Sequence, residues 1–270
     1  MTYSALKGAD FAAPVTTNNF RIKDLPALPR GARPAPRPVR PSFMNRRYEI
    51  QWLNDDGLVD FASRSAPALP EFEEAFCALA RGTLVETTNG TVAIEDLEPG
   101  MVVVTAEGRE ERIIWIGSMT MFPPNTISGV APASLTRITA DAFYSGRPLT
   151  DLLLGEQARV LVRGARAQSA GHKEAYVPAR SLIDGDTIIK VTPIAPMAMY
   201  HVVLEQQGSL VCAGMEIESY HPGRNISERL DPQLAQALLS LFPTMKTFCQ
   251  FGPLAHPRLS QNEAESMMAA

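Results

Sequence analysis

The feature that most constrains the fold is a series of short β-type segments between Gly82 and Gly223. The β-branched run Met101 to Thr105 and the segment Arg112 to Gly117 are two of them, and Asn89-Gly90 is typical of a hairpin turn. Many short strands joined by close turns favour an all-β domain over alternating strands and helices. The sequence contains no GxGxxG, GxxxxGK[ST] or GxSxG motif, which argues against nucleotide binding and serine-hydrolase chemistry.

The segments before the β region have a different composition. Residues 1–47 interleave proline with arginine, and proline fixes φ and removes a backbone donor, so we expect an extended or disordered tail. This tail is either a solvated linker or a basic arm that contacts an acidic partner or lipid headgroups. Residues 48–76 predict a small hairpin, with strands at 48–53 and 58–61 around an Asn-Asp-Asp-Gly turn, followed by a linker.

Residues 224–270 predict a C-terminal helical segment and tail. Leu234, Leu238 and Leu241 recur at helical spacing, so a helix over 231–241 is expected to pack on the β domain. The polar residues 260–270 predict a frayed end.

Composition and charge exclude several classes of protein. Apolar residues make up 45% of the 270 and charged residues 20%, which is typical of a soluble domain with a packed core. No apolar stretch approaches the ~20 residues of a membrane helix. The first ten residues lack a signal-peptide pattern, so we expect either a cytoplasmic location or export without a conventional signal. A net charge of −4 does not favour nucleic-acid binding.

The cysteines and histidines do not form a metal-binding pattern. Cys77, Cys212 and Cys249 are too few and too scattered for a disulfide scaffold, and no CxxC pair is present. The four histidines form no HExxH pair. We therefore expect neither a dedicated metal site nor a cofactor.

Three blocks of sequence carry a resemblance to a known family. Residues 82–117 read GTLVETTNGTVAIEDLEPGMVVVTAEGREERIIWIG, residues 155–162 read GEQARVLV, and a third block runs from YHVVL at 200–204 to AGMEIESYHPG at 213–223. In this order they resemble the Hint domain of hedgehog autoprocessing modules and inteins, and most of all bacterial Hint-domain proteins. The resemblance covers residues 77–223 and implies a pseudo-symmetric, horseshoe-like all-β fold.

The resemblance also implies a chemistry. In active members, the first residue of the domain is a cysteine or serine whose side chain attacks the preceding peptide carbonyl and turns the amide into a thioester or ester. The thiolate is the effective nucleophile, so a base has to assist. In the family, this assistance comes from a histidine in a Thr-x-x-His element, which reads Ser-Pro-x-His in the most similar proteins.

This sequence departs from the family pattern at each catalytic position. The nucleophile usually stands four residues before the Gly-Thr pair, where this chain has Ala78, and Cys77 lies one residue earlier. A slip of one residue on a strand sends the side chain to the opposite face. The position of the assisting histidine holds Ala158, which cannot transfer a proton. His221 is followed by Pro222 rather than asparagine, which argues against splicing.

Three functional hypotheses follow. The first is a Hint scaffold that has lost self-cleavage and acts as a structural or binding module for an unidentified protein partner. The second is autoproteolysis, in which Cys77 attacks the Phe76 carbonyl, releases residues 1–76 and uses His201 or His221 as the base. The third is a hydrolase built on Cys77 or Cys212 with a histidine. In the first hypothesis Cys77 is a small buried apolar residue, as free cysteines usually are.

Overall fold

The structure, a computed structural model, describes residues 44–123, 134–143 and 146–269. All but the last four residues of the predicted Pro/Arg-rich tail lie outside these ranges. Strands dominate the described residues, and within them no helix is long and apolar enough to cross a membrane.

Fifteen strands and five short helices form the described part of the chain. The strands are β1 (Asn45–Leu53), β2 (Val59–Pro67), β3 (Leu79–Ala80), β4 (Leu84–Thr87), β5 (Gly90–Ala93), β6 (Val102–Val104), β7 (Glu110–Met121), β8 (Leu135–Ile138), β9 (Leu152–Gly155), β10 (Arg159–Arg163), β11 (Glu174–Pro178), β12 (Ile188–Val191), β13 (Met197–Leu204), β14 (Ser209–Cys212) and β15 (Met215–Glu218). The helices are α1 (Pro70–Glu73), α2 (Ala165–Ser169), α3 (Ile226–Arg229), α4 (Pro232–Leu239) and α5 (Gln261–Ala269). Single 3₁₀ turns are formed by Ile94–Asp96, Ala179–Leu182 and Phe248–Phe251.

The strands form one open sheet in which all pairings between named strands are antiparallel. Its order is β11-β10-β15-β14-β4-β6-β7-β13-β3-β9-β8-β12, with β5 beside β4 and the β1–β2 hairpin attached to β7. The twelve-residue β7 connects the two halves, because its first residues pair with β6 and the rest pairs with β13 and β1. The predicted all-β fold is confirmed.

The N-terminal hairpin is longer than its turn chemistry alone predicts. The Asn54 side-chain oxygen accepts hydrogen bonds from the backbone N–H groups of Asp56 (3.0 Å) and Leu58 (2.9 Å), which closes the turn at the expected place. The pairing then continues to Asn45 opposite Pro67, so β1 begins three residues before the predicted start.

The C-terminal segment contains one expected helix and one unexpected helix. Asp231 caps α4, since its carboxylate accepts from the N–H groups of Gln233 and Leu234, as the sequence predicts for a helix that begins here. The prediction of a frayed end is wrong for 261–269, which form α5. Ala264 and Met267 of this helix are buried in the core, and that burial stabilises it.

Two hydrophobic clusters fill the molecule. The first is mainly aliphatic and lies between the strands from β3 onward. The second is rich in aromatic residues and draws on three parts of the chain: the segment before Cys77, the β domain, and the segment after residue 224. Its aromatic members are Tyr48, Phe72, Phe76, Trp115, Tyr220, Phe242 and Phe251.

The ring of Phe76 packs between two other rings of the aromatic cluster. Its centroid is 4.3 Å from that of Tyr48 and 5.4 Å from that of Trp115. It also lies against Gly117, the glycine of the Trp-Ile-Gly block, where a Cβ atom would come within 2.6 Å of the Phe76 ring. Glycine is needed at this position because a side chain would displace the aromatic packing.

Candidate functional site

Cys77 lies between α1 and the short central strand β3. The strand is held on both sides, since Leu79 pairs with Tyr200 of β13 and with Leu154 of β9. At Ala78, the backbone N–H donates to the Tyr200 carbonyl (3.1 Å) and the carbonyl accepts from the Gly155 N–H (2.9 Å). The chain that follows the Phe76–Cys77 peptide is therefore fixed in the middle of the sheet.

The Cys77 thiol is in an environment that disfavours the thiolate. The residue is 7% exposed, and its sulfur lies 3.3 Å from the thioether sulfur of Met121. Burial, together with the negative charge of Glu73, raises the pKa of the thiol to about 12, although a hydrogen bond from the Glu156 backbone N–H acts in the opposite direction. At pH 7 only about one thiol in 10⁵ would be ionised.

The turn Gly155 to Ala158 contacts Cys77, at the place where the family resemblance puts the assisting element. The Cys77 carbonyl oxygen lies so close to Gly155 that a Cβ there would be 1.9 Å from it. Ala158 closes the turn with an N–H bond to the Gly155 carbonyl (3.1 Å) and is 2% exposed. According to the family resemblance, the methyl group of Ala158 stands where an active member carries the assisting imidazole.

His201, the first candidate base, is engaged by the backbone on both sides. It lies on β13 and is buried, with Nδ1 2.8 Å from the Glu74 carbonyl and Nε2 3.1 Å from the Glu218 carbonyl. Burial lowers the pKa of His201 below its usual value. Each ring nitrogen thus faces a backbone carbonyl oxygen, and the single N–H of the neutral imidazole donates to one of the two. Neither nitrogen forms a hydrogen bond with Cys77.

His221, the second candidate base, is likewise held by the backbone. Its Nδ1 accepts from the Gly223 N–H (2.9 Å), which leaves Nε2 to donate to the Gly252 carbonyl (3.0 Å). Burial lowers the pKa of His221, in keeping with this neutral form. Among the described residues, no histidine forms a hydrogen bond with a cysteine.

The other candidate nucleophile, Cys212, is a core residue. It lies on β14, pairs with Val85 of β4 and Met215 of β15, and is fully buried. Burial raises the pKa of its thiol. The remaining cysteine, Cys249, is exposed.

A buried ion cluster next to His201 is a feature that sequence reasoning missed. This buried ion cluster, as we call it, consists of Glu74, Arg159, Glu218 and Arg258. Arg159 Nη1 lies 2.5 Å from Glu74 Oε1, and Arg258 Nε lies 2.9 Å from Glu218 Oε1. Crossed contacts of 3.8 Å join Arg159 to Glu218 and Arg258 to Glu74. No local signal could have revealed it, because its members come from four distant parts of the sequence.

The two carboxylates of the buried ion cluster differ in their electrostatics. Burial by itself would raise the pKa of Glu74, but the charges of Arg159 and Arg258 outweigh it and hold that pKa below its usual value. For Glu218, burial prevails and raises the pKa despite the same two arginines. Gln207 adds a neutral contact, since its amide nitrogen donates to Glu218 Oε1 (3.1 Å) and its amide oxygen accepts from the Ala255 N–H (2.6 Å).

The described residues do not assemble a metal site. Among them, no group of three or more histidine, cysteine, aspartate or glutamate side chains is placed to hold a metal ion.

Comparison with known proteins shows which part of the chain matches a known family. The sequence model of the Hint domain matches residues 77–224, which begin at Cys77 and include more than half of the chain. None of the curated proteins compared with the chain matches it.

Several solved structures are similar in fold. One is the bacterial intein-like domain from Clostridium thermocellum, at 15% identity, with 54% of this chain and 99% of that one covered and a TM-score of 0.36. Another is the MchDnaB-1 intein, at 15% identity, with 53% and 100% covered and a TM-score of 0.35. A third, the Msm DnaB1 intein splicing domain bound with zinc, has 14% identity, 53% and 100% coverage and a TM-score of 0.33. The family-model match over residues 77–224 confirms the sequence resemblance, and this chain belongs to the Hint domain family.

Proposed function

We propose that this chain is a Hint domain that has lost self-cleavage and acts as an intact structural or binding module. One observation carries the proposal: the Cys77 thiol is buried against Met121 with a pKa of about 12. A nucleophile for acyl transfer needs a lowered pKa or an adjacent base, and Cys77 has neither.

The proton balance of the reaction supports the same conclusion. In an N–S acyl shift, the Cys77 sulfur forms a bond to the Phe76 carbonyl carbon, the bond from that carbon to the Cys77 nitrogen breaks, and the released amine takes up a proton. A base must remove the thiol proton and an acid must supply the amine. Ala158 can do neither, and the nitrogens of His201 and His221 are occupied by backbone groups.

The packing of the segment before Cys77 also favours an intact chain. Phe76 is fully buried in the aromatic cluster, and Glu74 is a member of the buried ion cluster. Four residues of β1 pair with β7, among them Trp52 opposite Trp115. Cleavage before Cys77 would not free residues 44–76, since they contribute to the core of the domain.

Autoproteolysis at Phe76–Cys77 is the second candidate, and one observation favours it. The family match begins at Cys77, and the turn that carries the assisting element in the family contacts this residue. Self-cleavage in this chain would then proceed from a slightly displaced nucleophile with a proton acceptor other than residue 158.

Intact mass spectrometry distinguishes the two. Purified full-length protein is incubated for hours at pH 7 to 9 with and without dithiothreitol or hydroxylamine, which capture a thioester. We expect one species of 29.4 kDa under every condition. Fragments that meet at Phe76 and Cys77, and that are absent from a Cys77→Ala variant, would overturn the proposal. Fragments that persist in Cys77→Ala would point to a contaminating protease.

A further inference from the structure

The outer edge of β2 is the most exposed strand edge of the hairpin. Among the described residues, β2 pairs with β1 alone. Its residues 59–61 and 63–65 are exposed, and the Phe61 side chain is 84% exposed. With Leu58 at 65% and Val59 at 42%, Phe61 forms an apolar patch at the end of the hairpin. An open edge of this kind is a template for pairing with another strand.

The hydrogen bonds of the hairpin define which groups of β2 point outward. Asn54 donates its N–H to the Leu58 carbonyl (2.9 Å), and Ala68 donates to the Met44 carbonyl (2.8 Å). In an antiparallel pair, hydrogen-bonded and non-hydrogen-bonded positions alternate, so the even-numbered residues of β2 bond to β1. The N–H and C=O groups of residues 59, 61, 63 and 65 therefore face away from β1.

We propose that β2 pairs with β2 of a second copy of this chain, antiparallel and with the two-fold axis at Ala62. In this register Val59 lies opposite Ser65 of the second copy, and Phe61 lies opposite Ser63. Both are pairs of odd-numbered residues, so their outward backbone groups meet. A two-fold interface repeats each contact, which gives four hydrogen-bonded residue pairs.

The charges of β2 select this register. It places Asp60 opposite Arg64 of the second copy, twice, in non-hydrogen-bonded positions where side chains are closest. With the axis at residue 60, the Asp60 side chains of the two copies would face each other, and with the axis at residue 64 the two Arg64 side chains would do so. With the axis at residue 61 or 63, Asp60 and Arg64 would both lie opposite uncharged residues. Within the described chain, neither Asp60 nor Arg64 forms an ion pair. The Asp60 carboxylate accepts one exposed hydrogen bond, from the Asn54 side-chain amide (3.2 Å), which leaves its other oxygen for this contact.

The same register covers the apolar patch. Phe61 lies diagonally across from Phe61 of the second copy, at the ~7–8 Å spacing that aromatic side chains can bridge. The Phe61 ring is exposed in a single copy, and association would bury both rings. This burial adds a hydrophobic free energy of association to that of the backbone hydrogen bonds. The interface thus combines hydrogen bonds, ion pairs and apolar contact on one strand.

Cross-linking tests the register directly. In a Cys249→Ala background, which removes the exposed thiol, Ala62→Cys places two cysteines opposite each other at the axis. Their Cα atoms would be ~4.5 Å apart, within the range of a disulfide. In the matched control Ser63→Cys the two Cα atoms are diagonal and more than ~7 Å apart, beyond that range. We expect mild oxidation to yield a disulfide dimer from Ala62→Cys at least ten times faster than from Ser63→Cys. Equal rates would overturn the proposal.

Charge reversal provides an independent test by sedimentation equilibrium. The unmodified protein should reach twice its 29.4 kDa mass as its concentration rises. Asp60→Arg and Arg64→Asp should each weaken association roughly ten-fold, since like charges then face each other twice. The double variant Asp60→Arg/Arg64→Asp should restore it. A protein that stays monomeric to about 0.5 mM, or a dimer insensitive to both single reversals, would refute β2 pairing.

Discussion

The substitution Glu74→Gln removes one of the two negative charges from the buried ion cluster. Glu74 is 8% exposed and lies 2.5 Å from Arg159 and 3.8 Å from Arg258, so the variant leaves two largely buried guanidinium groups, on side chains that are 19% and 16% exposed, with one carboxylate. Loss of one partner from a buried ion pair costs about 3–5 kcal/mol, because the remaining charge is desolvated without compensation. At about 2–4 °C per kcal/mol for a domain of this size, Tm should fall by about 6–20 °C.

Urea unfolding followed by tryptophan fluorescence measures this loss, since Trp115 is buried in the aromatic cluster. Glu71→Gln is the matched control, because Glu71 lies in α1, three residues before Glu74, but makes only an exposed contact with Arg229 at 3.4 Å. An exposed pair contributes at most about 1 kcal/mol. If the two variants differ by less than about 1 kcal/mol, Glu74 contributes no more to the stability of the fold than an exposed carboxylate does.

The pH dependence of the same variant gives a second readout. Arg159 and Arg258 hold the pKa of Glu74 below its usual value, so the charged form is favoured in the folded state. The stability that Glu74 contributes is therefore fully present above its unfolded-state pKa of about 4.3 and is lost as the pH falls through the lower folded-state pKa. The difference in unfolding free energy between the wild type and Glu74→Gln should be largest near neutral pH and should shrink below about pH 4. A difference that grows on acidification would contradict this sign.

Three further predictions concern single sites. In the folded protein at pH 8, iodoacetamide should modify the exposed Cys249 and leave Cys77 unmodified, because the Cys77 thiol is buried and has a pKa of about 12. A peptide map that shows comparable labelling of the two cysteines would contradict the burial of Cys77. An NMR titration should give Asp184 a pKa of about 2, since the backbone N–H of Ile188 and other groups in its turn bond to the carboxylate; an ordinary value near 4 would mean that the turn is open. Phe76→Ala should cost about 3–5 kcal/mol in urea unfolding, whereas Phe61→Ala, measured in dilute protein, should cost less than about 1 kcal/mol. Similar losses for both would mean that Phe76 is not a core residue.

Much of the fold could be predicted because its determinants are local. The turn chemistry at Asn54 and the alternating pattern around it fix a hairpin, and the aspartate before Pro232 marks the start of α4. The Trp-Ile-Gly block was recognisable as a strand, although its burial does not alternate. Trp115 and Ile116 are both buried because β7 has packed material on both faces. The α5 helix could not be predicted with the same ease, because a helix of nine residues is too short to be stable by itself, even with good helix formers, and depends on the core that Met267 enters.

The candidate site was predictable only in outline. The family resemblance places Ala158 at the position of the assisting histidine, and this inference needs only one position in a matched block of sequence. It does not reveal that Met121 lies against the Cys77 sulfur, because the two residues are 44 positions apart. Nor does it reveal that His201 bridges two backbone carbonyls, one of them from Glu74. Burial and tautomer are consequences of tertiary packing, and they decide whether a thiol or an imidazole can react.

The packing of residues outside the matched Hint region agrees with the proposed loss of self-cleavage. Phe242, from the C-terminal segment, stacks 5.2 Å from Tyr220 and lies 4.5 Å from Trp115, whose indole N–H donates to the Leu241 carbonyl. Phe76, from the N-terminal side, meets the same Trp115. A domain that releases its preceding segment must be stable without it, whereas here that segment and the C-terminal one complete a single aromatic core. Selection for an intact core would then disfavour a reactive Phe76–Cys77 bond. A buried thiol at Cys77 and an alanine at position 158 are therefore expected in a chain whose core includes the preceding segment.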